Sequence, residues 1–134
     1  PKNYPLSSKI YNKYKGKKKI IGICLGYQMI LYNEGGKIVQ QKKIYHGFQS
    51  KIKVNSQSKI FKNNQNFKVG RYHSLKLREP FNSDSIRITM RCSVTNIPMG
   101  LEDDRNKIYG FQFHPESFLT ENGNTLIKKI LSAK

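Results

Sequence analysis

Cysteine and histidine are both scarce in this sequence, and their scarcity narrows its chemistry. Two cysteines, Cys24 and Cys92, do not make a disulfide framework, and neither stands in a CxxC or zinc-type spacing. A cytoplasmic location is therefore expected. No apolar run approaches the roughly 20 residues of a membrane span. No charged-then-apolar stretch stands at the start as a secretory leader would. A soluble protein without membrane attachment is expected. Apolar residues make up only 37% of the chain, low for a globular protein, yet they come in clustered runs that disorder does not produce. At 134 residues a single domain, 1–134, is expected, large enough to bury about two-thirds of its unfolded surface.

Acidic residues are also few: 8 Asp+Glu face 25 Lys+Arg, a formal net charge of +17. Such an excess suits a nucleic-acid-binding module, because cationic side chains release counterions from phosphates. The kind of basic residue argues against it. There are 20 Lys and 5 Arg, alongside 15 Ile and 12 Asn, the usage of a strongly AT-rich genome. A nucleic-acid reader favours Arg, whose planar fork grips phosphate and guanine in two places. Apart from Lys17-Lys18-Lys19, the lysines are scattered. The charge is read as compositional, and no nucleic-acid partner is expected.

Along the chain, strand-like and helix-like segments alternate, which predicts an α/β layered fold. Leu6, Ile10 and Tyr14 recur at four-residue spacing, so a short helix is expected there. Lys18 to Cys24 is a short apolar run, the pattern of a strand buried on both faces. Leu25 to Glu34 reads as a helix with Leu25, Met29 and Tyr32 on one stripe, stopped by Gly35-Gly36. Lys37–Gln41 is a predicted strand. From His46 to Asn66 the pattern alternates weakly and passes into a polar loop. Phe67–Tyr72, Leu75–Arg78, Ser85–Val94, Met99–Glu102 and Lys107–Phe113 are strand candidates, and Asn122 or Asn124 can cap a last helix ending near Ser132.

Gly22-Ile23-Cys24-Leu25-Gly26-Tyr27-Gln28 concentrates the chemistry. A buried strand ends at Cys24 and a helix begins at once, the layout that presents a nucleophile at a sheet edge. Gly22 and Gly26 would let backbone approach closely at such a turn. A thiol at a helix start has its thiolate favoured by the helix dipole, so a lowered Cys24 pKa is expected. The Leu25 amide is free at the helix start to donate to an oxyanion. On layout alone, a small buried core cysteine is the commoner outcome.

A cysteine nucleophile needs a base, and the chain offers His46, His73 and His114. His114 follows an apolar strand, and Pro115 biases it to extended geometry. Residues i and i+2 of an extended chain share a side. Glu116 is therefore expected beside His114, holding its ring and steadying an imidazolium. His73 is expected to be structural rather than a second base.

The segment from Gly22 to Gln28 resembles the G-x-C-x-G-x-Q signature of the class I (triad) glutamine amidotransferases at every specified position. Gly110 to Ser117 resembles the same family's second signature, and Tyr72-His73-Ser74-Leu75 its Y-H-S-L stretch. With His46-Gly47 and Glu121-Asn122-Gly123, the pattern is most similar to the small subunits of anthranilate and aminodeoxychorismate synthases.

The resemblance implies a three-layer α/β fold around a central, mostly parallel mixed sheet. It implies Cys24, His114 and Glu116 as catalytic, and Leu25, Gln28, Ser74 and Leu75 as binding glutamine. It also implies a chorismate-using synthase subunit as partner and no metal or organic cofactor in this chain, with Mg²⁺ on the synthase. His46 is expected to face the partner, without chemistry of its own. The family domain begins with a strand and a Gly-Pro-Gly loop that completes the oxyanion hole. About 55 to 60 family residues are expected to be missing before Pro1. Tyr27 departs from the family's usual His. An inactive partner subunit is the reading that this departure in length leaves open.

Overall fold

The computed structural model describes residues 3–44 and 47–133. Helix α1 (Pro5–Tyr14) leads into strand β1 (Ile20–Ile23), helix α2 (Leu25–Asn33) and strands β2 (Lys37–Gln40) and β3 (Phe48–Val54). Strands β4 (Asn66–Arg71), β5 (Leu75–Arg78), β6 (Arg87–Cys92), β7 (Pro98–Asp103) and β8 (Ile108–Phe111) follow, and helix α3 (Gly123–Ser132) closes the described chain. Six strands form one sheet in the order β1-β8-β7-β6-β3-β4, while β2 and β5 pair separately.

Two apolar cores, one on each face of the sheet, make the fold three-layered as expected. On one face, Leu126 and Ile130 of α3 pack with Ile52, Val54, Met90, Tyr109, Phe111 and their neighbours. On the other, Tyr11 of α1 and Tyr27, Ile30 and Leu31 of α2 pack with Leu77, Leu101 and Ile108. The alternation along β8 divides its side chains between the two. Tyr109 and Phe111 enter the first core and Ile108 the second.

The sheet is mixed, but among the described residues only β1 with β8 is parallel; the other four pairings are antiparallel. The expectation of a mostly parallel sheet is corrected here. Short turns join β6 to β7 and β7 to β8, and a short turn closes only an antiparallel pair, whereas a parallel pair needs a crossover.

Other expectations change too. The stretch read as weakly alternating contains β3, which pairs with both β4 and β6. Its outward positions are Lys51 and Lys53, with only Ile52 and Val54 buried, so the apolar signal was thin. Asn122 stands at the N-cap of α3 in a left-handed conformation, but its side chain makes no capping bond.

In both N-terminal helices the apolar stripe at helical spacing is largely exposed, Met29 excepted, and other residues face the core. Leu6, Ile10, Leu25 and Tyr32 are all exposed, while Tyr11 and the Tyr27-Ile30-Leu31 face are buried. Ile10 and Tyr14 of α1, Leu25 and Met29 of α2, and Ile20 and Ile21 of β1 line one groove of about 480 Å³. It lies along the edge of β1 that pairs with no strand among the described residues.

Several basic residues have local tasks. Lys19 Nζ donates to the carbonyls of Ile130, Leu131 and Ala133, at 2.8, 3.0 and 2.6 Å, at the end of α3. A cation there satisfies carbonyls that the helix leaves unpaired. Arg91 grips Glu79 in a fork, both contacts at 2.7 Å. Among the described residues no helix is long and apolar enough to cross a membrane.

Candidate active site

The register of β1 against β8 sets the site. Ile23 pairs with Phe111, and the Cys24 amide donates to the Phe111 carbonyl at 2.8 Å. The residues just beyond both strand ends therefore meet. On one side that residue is Cys24, on the other Gln112 and His114.

Cys24 occupies a strained turn. Its φ of 52° and ψ of −102° are rare for a residue with a side chain. Such strain persists where the surroundings over-determine it. What fixes it is the seating of α2 directly on β1. A Cβ at Gly22 would lie 2.6 Å from the Gly26 carbonyl carbon and 2.7 Å from its oxygen, so only glycine fits. At Gly26 a Cβ would meet nothing within 4 Å. The first glycine of the motif thus has the steric reason expected of it, while the second borders the open groove.

Three groups act on the Cys24 sulfur. Burial pushes the thiol pKa up from its ordinary value, hydrogen bonds from the Leu25 backbone and the Gln112 side chain pull it down, and the Glu116 charge adds to the rise. The net direction is upward, against the lowered value expected from the helix start alone. A half-buried sulfur loses more hydration than the first turn of a nine-residue helix returns.

His114 and Glu116 meet as expected. His114 Nδ1 and Glu116 Oε1 are 2.5 Å apart. The loop that carries them is clipped to β4: the His114 amide donates to the Gly70 carbonyl at 3.2 Å, and the Thr120 hydroxyl donates to the His114 carbonyl at 2.6 Å. Gly70 lets this loop come close, since a Cβ there would lie 2.8 Å from Ser117 Oγ and the side chain would have to give. Tyr72 stands edge-on to the His114 ring, and its hydroxyl is 2.9 Å from Ser117 Oγ. No hydrogen bond joins the His114 ring to Cys24 among the described residues. Catalytic hydrogen bonds are often long before substrate arrives.

The residues expected to bind substrate fall into different places. Leu25 presents its backbone to the Cys24 sulfur. Ser74 and Leu75 follow Tyr72, whose ring meets His114, and Leu75 opens β5 opposite Gln40. The Ser74 carbonyl accepts from the Gln41 amide at 2.9 Å, and its hydroxyl makes no hydrogen bond among the described residues. Gln28 does not line an open surface. It is buried, and its Nε2 donates to Gln112 Oε1 at 3.2 Å.

His73 is structural. Its Nε2 accepts from Arg71 Nε at 2.9 Å, so the proton sits on Nδ1, 2.9 Å from the Leu75 carbonyl. Burial, with the nearby Arg71 charge, pushes its pKa down to about 4 against the pull of the Leu75 carbonyl. Tyr27 is fully buried in the second core, so its departure from the family pattern concerns packing. His46 lies outside the described residues. Sequence reading missed Gln112 and Tyr72 as parts of the site. The period-two alternation of Phe111-Gln112-Phe113-His114, with both phenylalanines in the core, was the available signal for Gln112.

A strained cysteine at a strand-to-helix turn and a histidine–carboxylate pair beyond the end of the neighbouring strand thus sit on one α/β scaffold. The chain belongs to the class I glutamine amidotransferase family, whose model matches residues 1–133.

Among its relatives is the bifunctional protein TrpGD of Thermotoga maritima, 41% identical over 98% of this chain and 22% of that protein. Anthranilate synthase component 2 of Lactococcus lactis is 35% identical over 92% of this chain and 63% of its own length. Aminodeoxychorismate synthase component 2 of Escherichia coli is 35% identical over 98% and 70%. A solved glutamine amidotransferase from Thermotoga maritima shares the fold, with a TM-score of 0.64 at 21% identity, over 85% of this chain and 46% of that one. The chain thus spans less than two-thirds of the length of several proteins it matches.

Proposed function

We propose that this chain hydrolyses glutamine and delivers the ammonia to a synthase subunit that aminates chorismate, forming anthranilate or aminodeoxychorismate. The reading is supported by the β1–β8 register, with Cys24 just beyond the end of β1 and the His114–Glu116 pair beyond the end of β8, and by the Glu116 charge that acts on the Cys24 sulfur. In the proposed reaction the Cys24 proton passes to His114 Nε2, the ring nitrogen that Glu116 leaves free. The sulfur attacks the side-chain carboxamide of glutamine. The oxyanion that forms is met by the Leu25 amide and, by the family resemblance, by a glycine-rich loop outside these 134 residues. His114 then gives its proton to the departing ammonia. Water, activated by the same ring, cleaves the γ-glutamyl thioester to glutamate and restores the thiol. Cysteine, histidine and carboxylate suffice for these steps. The choice of chorismate rests on the names of the relatives and on the motif endings.

The second reading, an inactive partner subunit, draws on the raised Cys24 thiol and on the lack, among the described residues, of a hydrogen bond between the His114 ring and Cys24. Glutamate release from glutamine, measured with and without each kind of chorismate-using synthase subunit, separates the two. Release that rises on adding a synthase supports the proposal. A chain that binds the synthase and releases no glutamate supports the alternative.

A further inference from the structure

The glutamine-hydrolysing reading uses Cys24, His114, Glu116 and Leu25, and it leaves one fully buried polar side chain beside the sulfur unassigned. Gln112 is 0% exposed. Its Nε2 points at Cys24 Sγ from 3.7 Å, and its Oε1 accepts from Gln28 Nε2 at 3.2 Å. The second contact fixes the first. An amide has one donor end and one acceptor end, so a donor from Gln28 at the oxygen turns the NH₂ group of Gln112 toward the sulfur. The backbone holds both ends of this chain in place. The Gln112 amide donates to the Met99 carbonyl at 2.9 Å, and the Gln28 amide to the Cys24 carbonyl at 3.1 Å.

We propose that Gln112 is a catalytic residue that donates a hydrogen bond to the Cys24 thiolate, with Gln28 as the positioning residue that aims it. This inference rests on Cys24 being the nucleophile. The chemistry is that of a neutral donor to an anion. Hydrogen bonds to an ionised partner are about twice as strong as neutral ones, and a buried thiolate otherwise loses its hydration uncompensated. A carboxamide suits the place better than a lysine would. It supports the sulfur without a charge that would hold the thiolate so low as to blunt its attack. The charged group acting on this sulfur is Glu116, which opposes ionisation; His114 is the base of the proposed reaction. A neutral donor acts alongside both without exchanging protons with either.

The assignment adds a role for Gln28 to the substrate contact that the family resemblance implies. A substrate contact through Gln28 would show only with glutamine bound. As the group that aims Gln112, Gln28 alters the acidity of the thiol with no glutamine present.

The test is the pH dependence of Cys24 alkylation by iodoacetamide in the full chain, followed by mass spectrometry of the Cys24 peptide. Gln112→Met keeps the volume and removes the donor. Gln112→Glu keeps the shape and replaces the donor with an acceptor. Gln28→Met leaves Gln112 in place but unaimed. Loss of one charge-assisted hydrogen bond is expected to move the midpoint of the pH profile upward by about one unit in Gln112→Met, and so to slow alkylation about tenfold at neutral pH. Gln112→Glu is expected to move it further, and Gln28→Met in the same direction by less. Rates at high pH should converge in all variants, which a loosened fold would not produce. Because Gln112 is buried, the melting transition of each variant is read in parallel, and Gln28→Met supplies the answer where Gln112→Met does not fold. An unchanged midpoint in folded Gln112→Glu and Gln28→Met overturns the proposal. Failure of the underlying reading looks different: Cys24→Ser would then retain glutamine hydrolysis.

Discussion

Tyr72 and His114 meet edge to face, their ring centroids 5.2 Å apart and their planes at 90°. With Glu116 holding Nδ1, the imidazole is fixed by a carboxylate at one nitrogen and an aromatic ring against its side. The remaining nitrogen, Nε2, is the one that takes the proton in the proposed reaction. Tyr72 is thus a support for the His114 ring, and its hydroxyl ties the same loop through Ser117.

Tyr72→Phe keeps the ring contact and loses only the tie to Ser117. Its kcat for glutamine hydrolysis should fall by less than about threefold. Tyr72→Ala removes the support, and small misplacements of a catalytic group are costly, so a fall of about tenfold or more is expected. Steady-state kinetics of the two variants check this. Equal losses would show that the hydroxyl, not the ring, is what matters.

The two thiols differ in the opposite sense to their accessibility. Cys24 is partly exposed with a raised pKa, while Cys92 is buried. Burial raises Cys92 too, but hydrogen bonds from Thr95 and Val94 and the Arg71 charge outweigh it and leave its pKa lowered. Access should decide under native conditions. Iodoacetamide at neutral pH should modify Cys24 first, and Cys92 only as the fold opens. Peptide mapping over a denaturant series reads the order, and native labelling of Cys92 ahead of Cys24 would contradict it.

His73 should make stability depend on acid. Its pKa falls from 6.5 unfolded to about 4 in the fold, so the folded state prefers the neutral ring. The contribution is fully present above pH 6.5 and is lost as pH falls toward 4. It is on the order of 3 kcal/mol by the conversion of about 1.4 kcal/mol per pH unit. Unfolding curves between these limits should steepen in their pH dependence for the natural chain. They should flatten for His73→Gln, which keeps polar atoms near Arg71 and Leu75 and cannot titrate. An unchanged pH slope in that variant would remove His73 from the account.

Much of this was legible from residue order. A short apolar run, a cysteine and a helical run named the turn at Cys24, and His-Pro-Glu named the pairing of His114 with Glu116, because both are local patterns. What periodicity could not supply was which face is covered. The stripes of Leu6, Ile10 and Tyr14 and of Leu25, Met29 and Tyr32 are at helical spacing, yet several of these residues are exposed and border the groove along β1. A stripe announces an apolar face without saying what packs on it. Strand direction was equally out of reach, since it follows from how the short β6–β7–β8 connections close. The Cys24 thiol was misjudged because the helix start is local and visible, whereas burial is a property of the packed fold. Gln112 was hidden for the same reason. Its two partners, Gln28 and Cys24, lie 84 and 88 residues away.

The central claim is that Cys24 and His114 do chemistry on glutamine and nothing else in synthesis. It is tested most directly by comparing glutamine-driven with ammonium-driven product formation in the complex with a chorismate-using synthase, for the natural chain, Cys24→Ser and His114→Ala. Both variants should lose the glutamine-driven reaction by a factor of about 10³ or more, while ammonium-driven synthesis stays within about twofold. Those factors correspond to a barrier change of about 4 kcal/mol or more on one route and less than about 0.5 on the other. Loss of both routes together, or survival of the glutamine route in either variant, would contradict the account.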